Sequence, residues 1–516
     1  MSDSTPRDQM SESAPRRLTR RRVLGEALAG AVGLAGASAL AGCGGSLSAR
    51  ALRDGSTLRS TWTDPVGDGR LRVGPGEPLL DRAELGAPAR PIGGLVTIAH
   101  LTDAHVLDAS SPARVSFLNR LGAPFQSTFR PHETLTAQVL AGACLATRAL
   151  RPGLVIQGGD LIDNAQSNEL AIAQATLRGG WVHPGSGDGR YLGVQAASDT
   201  DPFYYRPDVD APRHPGLLSA AVRPFTSGGL AVPVHPVLGD HDALVAGEVV
   251  PTALTRSLAV GDRALWDLPS GLTLPPGAGA GALASPDGPP DPGLVDELLT
   301  RALAGPTVTV TPDLARRELA FSEVLSRLGP PAASGDRLDY AVDVGSEVRL
   351  IVVDLVRRAG GSGGLVAGDQ PAWLERELAQ AGERWVIVVS HQPLAGSAGG
   401  EALLGLLDRH PQVVAALSGH THRNQIEPRV TPAGGYWLIG TASLIDYPQQ
   451  ARALRLVATV GGGVAIQTWM LDHTFPGRLG TISRELSYLD AQGGRPEGFA
   501  GGRRDRNVTL YRRAVR

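Results

Sequence analysis

The sequence contains no lysine: all 49 of its basic residues are arginine. That excludes chemistry built on a lysine side chain, including a P-loop lysine, a Schiff base and a serine–lysine dyad. Two cysteines, Cys43 and Cys144, are too few for a disulfide framework or a cysteine-rich zinc site. Charge of either sign is balanced, with 51 acidic residues leaving a net −2. The chain therefore has no global basic field, and no nucleic-acid-binding surface is expected. Long apolar runs are missing too. The Gly/Ala-rich stretch from Ala27 to Gly42 falls short of the ~20 apolar residues a membrane span needs. In contrast, Gly and Pro are plentiful, 66 and 39 of 516 residues, which predicts long loops rather than long helices. With 42% hydrophobic residues the chain can still bury a core.

The first residues read as an address. Thr19-Arg20-Arg21-Arg22-Val23-Leu24 resembles a twin-arginine export signal, and Leu40-Ala41-Gly42-Cys43 resembles a bacterial lipobox. On that reading residues 1–43 are a signal peptide handled by the twin-arginine export machinery, and Cys43 is the lipidated first residue of the mature chain. The lipid would tether the protein to the outer face of the cytoplasmic membrane. The plainer alternative is an ordinary signal peptide and a secreted protein. Cys144 lies in an apolar helical stretch and is expected to be a buried thiol.

Residues 44–94 read as a linker and N-terminal extension, with some short strands. Apolar, β-branched runs then recur at Leu95–Leu101, Leu154–Gln157, Val234–Leu238, Leu350–Asp354, Val386–Ser390 and Val413–Leu417. Helical patterns such as Thr134–Leu150, Pro371–Ala381 and Glu401–Arg409 separate several of them. Three runs from Tyr436 to Trp469 look like closing antiparallel strands. The alternation predicts an α/β domain over 95–475. Two Gly/Pro-rich stretches, near 168–233 and 245–333, are too long for ordinary loops and read as insertions that cap a site or are partly disordered. Residues 476–516 read as a C-terminal extension, mobile from Gly493 onward.

Five polar clusters follow strand-like runs in order: Asp103-Ala-His105, Gly159-Asp160-Leu-Ile-Asp163-Asn164, Gly239-Asp240-His241-Asp242, Ser390-His391 and Gly419-His420-Thr-His422. Ligands bind at the carboxyl ends of strands in open α/β sheets, so the clusters can converge in one crevice. Carboxylates and imidazoles without thiolates suit Mn, Fe or Zn. The other seven histidines carry no ligand role in this reading; His100 is expected to pack beneath the site. Asp446 is a weaker candidate for reaching it. Trp181, Tyr191, Phe203, Tyr204 and Tyr205 could form a lid, with packing inside the first insertion the plainer reading.

The five ordered clusters resemble the calcineurin-like metallophosphoesterase superfamily, in particular its twin-arginine-exported actinobacterial branch. The resemblance spans roughly residues 95–475. It implies an α-β-β-α sandwich of four layers, with two mixed sheets, long loop insertions and two metals about 3.5–4 Å apart. The metals are divalent or mixed-valence Mn, Fe or Zn. Carried over, Asp103, His105 and His422 hold one metal, Asp240, His391 and His420 the other, and Asp160 bridges both. A metal-bridging hydroxide is the nucleophile. His241 faces the scissile phosphate and Asp242 orients its ring, while Asp163 and Asn164 shape the bridging loop from behind the ligands. The implied activity is hydrolysis of a phosphate mono- or diester outside the cytoplasm.

One residue departs from the pattern. The third block usually has Asn where this chain has Asp240. A neutral Asn leaves two divalent metals, two carboxylates and a hydroxide with one net positive charge; Asp240 cancels it. The alternative reading is therefore a non-catalytic metal- or phosphoryl-ligand-binding lipoprotein, or a structural envelope protein working through its insertions. The His241-Asp242 pair argues for catalysis, because a mere metal binder needs neither.

Overall fold

The computed structural model describes residues 54–121, 128–265, 291–329, 336–493 and 499–514. The signal-like segment and Cys43 lie outside the described residues.

Two mixed sheets dominate. The first has seven strands in the order Leu80–Leu85, Val508–Arg512, Val464–Asp472, Gln450–Thr459, Pro91–Leu101, Leu154–Gln157 and Val234–Pro236. The second has six, in the order Tyr340–Val344, Val348–Val352, Trp385–Val389, Val413–Ser418, Tyr436–Gly440 and Gln425–Arg429. Each contains a parallel block: the last three strands of the first sheet, and Val348–Val352 through Tyr436–Gly440 in the second.

Alternation along the strands explains the layers, since successive side chains point to opposite faces. In Val348–Val352 and Trp385–Val389, Val348, Leu350, Val352, Ile387 and Val389 join the large core that also holds Ile98, Ile156 and Leu454 of the first sheet. Their neighbours Ile351, Val386 and Val388 join a second core under the helices Gln370–Ala381 and Gly400–Leu407, which contribute Leu374, Leu378 and Leu404. The helix Thr136–Leu150 covers the outer face of the first sheet. The result is helix, sheet, sheet, helix.

Several expectations need correcting. Tyr436–Gly440 lies in the second sheet, parallel to Val413–Ser418 on one side and antiparallel to Gln425–Arg429 on the other; Gln450–Thr459 and Val464–Asp472 pair antiparallel in the first sheet. Both extensions contribute a strand to the first sheet. Leu80–Leu85 and Val508–Arg512 pair in parallel, and the latter inserts beside Val464–Asp472. Both strands are short and charged, so their pattern is weak; the sheet edge they complete supplies the reason they fold. The described parts of the two insertions are also ordered. Buried Arg316 of the second contacts Asp108 at 3.2 Å and Ser186 of the first at 2.9 Å. Tyr204 is buried against Phe129, whereas Trp181 is exposed. Cys144 is buried and unpaired, and burial pushes its thiol up to about 12.

Candidate metal centre

The parallel blocks aim their carboxyl ends at one place. Asp103, Asp160 and Asp240 follow the three parallel strands of the first sheet, and His391, His420 and His422 follow two of the second. Main-chain bonds stitch the loops together: Asp103 N to Gly159 O at 3.0 Å, His105 N to Asp160 O at 3.0 Å, and Gly419 N to His391 O at 3.0 Å. Side chains do the same, with His241 N donating to Asp160 Oδ1 at 2.9 Å and His420 N to Asp103 Oδ1 at 3.0 Å. Five of these residues have left-handed backbone, with φ of 52° at Asp103, 41° at His105, 49° at Asp160, 64° at His420 and 55° at His422. Non-glycine residues rarely sit there, and such strain concentrates at functional sites.

Three groups of potential ligand atoms result, each with its members within 4.8 Å of one another: Asp103, His105, Asp160 and His422; Asp160, Asp240, His391 and His420; and the smaller set His105, Asp163 and His241. Asp160 belongs to the first two. All seven expected ligands come together.

The protonation pattern tests whether this set fits cations. His391 Nδ1 lies 2.8 Å from Gly158 O, so Nδ1 carries the proton. In a neutral ring Nε2 is then a bare lone pair. It is buried without a hydrogen-bond partner, yet it faces Asp160 at 3.1 Å, Asp240 at 3.3 Å and Asp103 at 3.9 Å. A lone pair against carboxylates is repulsive unless a cation stands between them. His105 repeats the pattern: Nδ1 is 3.0 Å from Asp163 Oδ1, and Nε2 is 3.3 Å from His422 Nε2 and 3.5 Å from Asp160 Oδ2. The donor set fits two cations sharing Asp160.

With the protein alone, protons take that place. Burial would lower the His391 pKa, but Asp160, Asp240 and Asp103 hold it well above the usual imidazole range. Burial would raise the Asp103 and Asp240 carboxyls, yet the surrounding imidazoles hold both below the usual carboxylate range. Charge compensation at this centre is thus an intrinsic demand of the donor set.

Around the ligands lies a layer of braces. Asp163 binds His105 with one oxygen and Arg114 and Asn164 with the other. Asn164 Oδ1 accepts from Ala246 N at 3.0 Å. Glu169 accepts from the main chain of Asp108, Asp163 and Asn164, joining the loops that carry Asp103 and Asp160. Gln392 Nε2 donates to Asp240 Oδ1 at 2.9 Å. Asp446 contacts His422 directly. No motif announces Arg114, Glu169 or Gln392; the short block around Ser390-His391 was the only hint for the last.

Asp242 takes a different place from the one expected. Its oxygens accept from Leu161 N at 2.8 Å, Ile162 N at 3.1 Å and Gly239 N at 2.9 Å. The His241 ring is set instead by the carbonyl of Asp163, 2.8 Å from Nδ1. A carboxylate one residue along a helical turn points away from its neighbour, toward the unpaired N–H groups of the bridging loop. His100 packs beneath the centre, with Nδ1 2.9 Å from Thr441 Oγ1.

No family model and no curated protein matches this chain. Among solved structures, it is similar to a dimetal phosphatase from Danio rerio at 14% identity and a TM-score of 0.36, over 74% of this chain and 99% of that one. It is also similar to the sulfate thiohydrolase SoxB of Thermus thermophilus, in complex with glycerol, at 13% identity and a TM-score of 0.29, over 79% of this chain and 61% of that one.

Proposed function

We propose that the chain hydrolyses a phosphate mono- or diester at a centre of two divalent or mixed-valence cations, Mn, Fe or Zn. The observation that carries this reading is the buried, unpartnered Nε2 of His391 facing three carboxylates. Asp103, His105 and His422 would hold one ion, Asp240, His391 and His420 the other, and Asp160 would touch both. Such a pair supplies Lewis acidity at the phosphoryl oxygens and brings the pKa of water down to about 7.

The protein's own residues supply the rest. The Asp163 carbonyl fixes the proton on His241 Nδ1 and so directs Nε2 away from the loop. Burial would lower the pKa of this ring, but Asp160, Asp163 and Asp240 outweigh it and raise it. With Nδ1 committed to the Asp163 carbonyl, Nε2 is the ring atom open to the transferring group or the leaving oxygen. Asp242 holds the bridging loop in place under Asp160. Asp163 and Asp446 set the tautomers of His105 and His422, as outer partners of metal ligands do.

The test is elemental analysis and hydrolysis of p-nitrophenyl phosphate and bis-p-nitrophenyl phosphate on one purified sample. We expect about two metals per chain, and in His241→Ala a loss of roughly 10²–10⁴-fold in turnover with metals retained. A protein that takes up no Mn, Fe or Zn on reconstitution overturns the reading. Two metals without turnover leaves the binding-protein alternative.

The working place is outside the cytoplasm, with a lipid on Cys43 as the membrane anchor and the twin-arginine machinery as the export route. The Arg20-Arg21-Arg22 and Leu40–Cys43 motifs support this. No described helix is long and apolar enough to cross a membrane. Metabolic labelling with a fatty-acid analogue that is lost in Cys43→Ala checks it; unlabelled wild-type protein refutes the lipid anchor.

A further inference from the structure

Beside the metal centre lies a cavity of about 270 Å³ whose walls include Trp62, Glu77, Gln450, Asp472, Arg484 and Arg506. Strand register places it. Gln450 pairs with Asp472, and two residues further on Arg452 pairs with His100, just before the Asp103 loop. The cavity is therefore at the same end of the seven-stranded sheet as the cluster. Two chain segments serve both: Asp446 contacts His422 and Tyr447 lines the cavity, while the Phe499 ring lies 6.1 Å from that of His422 and Ala500 lines the cavity.

Three buried polar atoms of side chains that line the cavity have no partner. Arg484 is 6% exposed. Its Nη2 donates to His473 O at 2.7 Å, and its Nε is buried without a partner. Arg506 donates Nη2 to Glu77 Oε1 at 2.6 Å, and its Nε is likewise unpartnered. Gln450 donates Nε2 to Asp472 Oδ1 at 2.7 Å, leaving its buried Oε1 unused. Native proteins rarely leave such atoms unsatisfied, and each needs an explanation.

A structural role for Arg484 covers only part of this. Its guanidinium stacks 4.4 Å over the Trp62 ring, which uses the planar face. Of the N–H edge that binds oxyanions bidentately, Nη2 is engaged by His473 O and Nε stays without a partner. Water can satisfy that edge but cannot neutralise a buried cation. Of the acids in the same walls, Glu77 is committed to Arg506, and Asp472 lies near Arg484 without closing an ion pair with it. Among the described residues Arg484 forms no ion pair.

We propose that this cavity is a binding site, separate from the metal centre, for a small molecule carrying an oxyanion, phosphoryl or carboxylate. Nε of Arg484 donates to the anion, Arg506 closes the other side, and Gln450 Oε1 accepts from a donor on the ligand. The volume lies near the lower end of ligand pockets, which fits a compact molecule.

The test is calorimetric titration of the intact, metal-loaded protein with inorganic phosphate and, separately, with acetate. One of the two anions should saturate a site that Asp160→Asn leaves in place and that Arg506→Gln weakens at least tenfold. Arg484→Gln should abolish it, with thermal unfolding as the check on folding. Arg506 is partly exposed, so Arg506→Gln decides the matter if the Arg484 variant does not fold. Phosphate binding identifies a phosphoryl ligand, and acetate binding alone a carboxylate; either supports the proposal. No anion site beyond the one removed by Asp160→Asn, or a second site unchanged in folded Arg506→Gln, overturns it. Loss of the metals touches only the reading of the catalytic centre, since the cavity site does not use them.

Discussion

The Nδ1 of His422 stands 2.6 Å from Oδ2 of Asp446, and Arg130 closes on the same carboxylate with Nε at 2.6 Å and Nη2 at 3.0 Å. All three side chains are buried or nearly so. Burial would lower the His422 pKa, but Asp103 and Asp446 raise it to about 9. The pair orients the ring so that Nε2 faces Asp103 at 3.3 Å. Asp446→Asn should therefore weaken metal retention about 10–100-fold. Competition against a chelator measures this, and unchanged retention would remove Asp446 from the centre.

Asp240 gives a second prediction. Its Oδ1 receives Gln392 Nε2 and faces both His391 and His420 at 3.3 Å. Asp240→Asn keeps the shape and removes one negative charge. Even outer partners of metal ligands are worth at least about tenfold in affinity, so this change should loosen one of the two metals by more than that. Elemental analysis after graded chelation should show one metal per chain leaving early. Simultaneous loss of both, at the wild-type chelator concentration, contradicts a ligand role for Asp240.

Gly159 cannot be replaced quietly. It sits at φ +94°, and a Cβ there would lie 2.3 Å from His391 Nδ1. Gly159→Ala combines a disfavoured backbone with a clash against a buried ring, and should destabilise by about 2 kcal/mol or more. Urea unfolding of both proteins tests it; a loss within about 0.5 kcal/mol would mean the loop has room to move.

A pH effect is expected away from the metals. Burial raises the Glu318 carboxyl from its ordinary 4.5 to about 7, only partly opposed by the Thr255 hydroxyl at 2.9 Å. Between these values the folded chain keeps a proton that the unfolded chain has released. The contribution is full below about pH 4.5 and is lost as pH rises through 7, with a slope of at most about 1.4 kcal/mol per pH unit. Glu318→Gln retains an acceptor for Thr255 and should flatten that part of the stability–pH curve. An identical slope in the variant would assign the proton elsewhere.

The candidate ligands were legible because each belongs to a short block behind a β-branched run, and parallel strands must deliver such blocks to one edge. Arg114, Arg130, Glu169 and Gln392 were not. Each is a single polar residue without periodicity, and nothing local marks it as a brace. Asp446 was only a weak candidate for the same reason. Asp242 shows the limit from the other side: its neighbour in sequence is His241, but its hydrogen bonds go to Gly239, Leu161 and Ile162.

The terminal strands divide along the same line. Leu80–Leu85 and Val508–Arg512 carry too little apolar pattern to stand out, and they form because each completes the other's ladder. Residue identity and local periodicity suffice to establish which donor types are present, their order, and the exclusion of lysine and cysteine chemistry. Which carboxylate braces which imidazole, where the extensions lie, and that Arg484 lines a cavity emerge from the folded chain. Those depend on contacts between residues distant in sequence, from 24 positions for His422 and Asp446 to several hundred for the terminal strands, where burial and hydrogen-bond satisfaction select the partner.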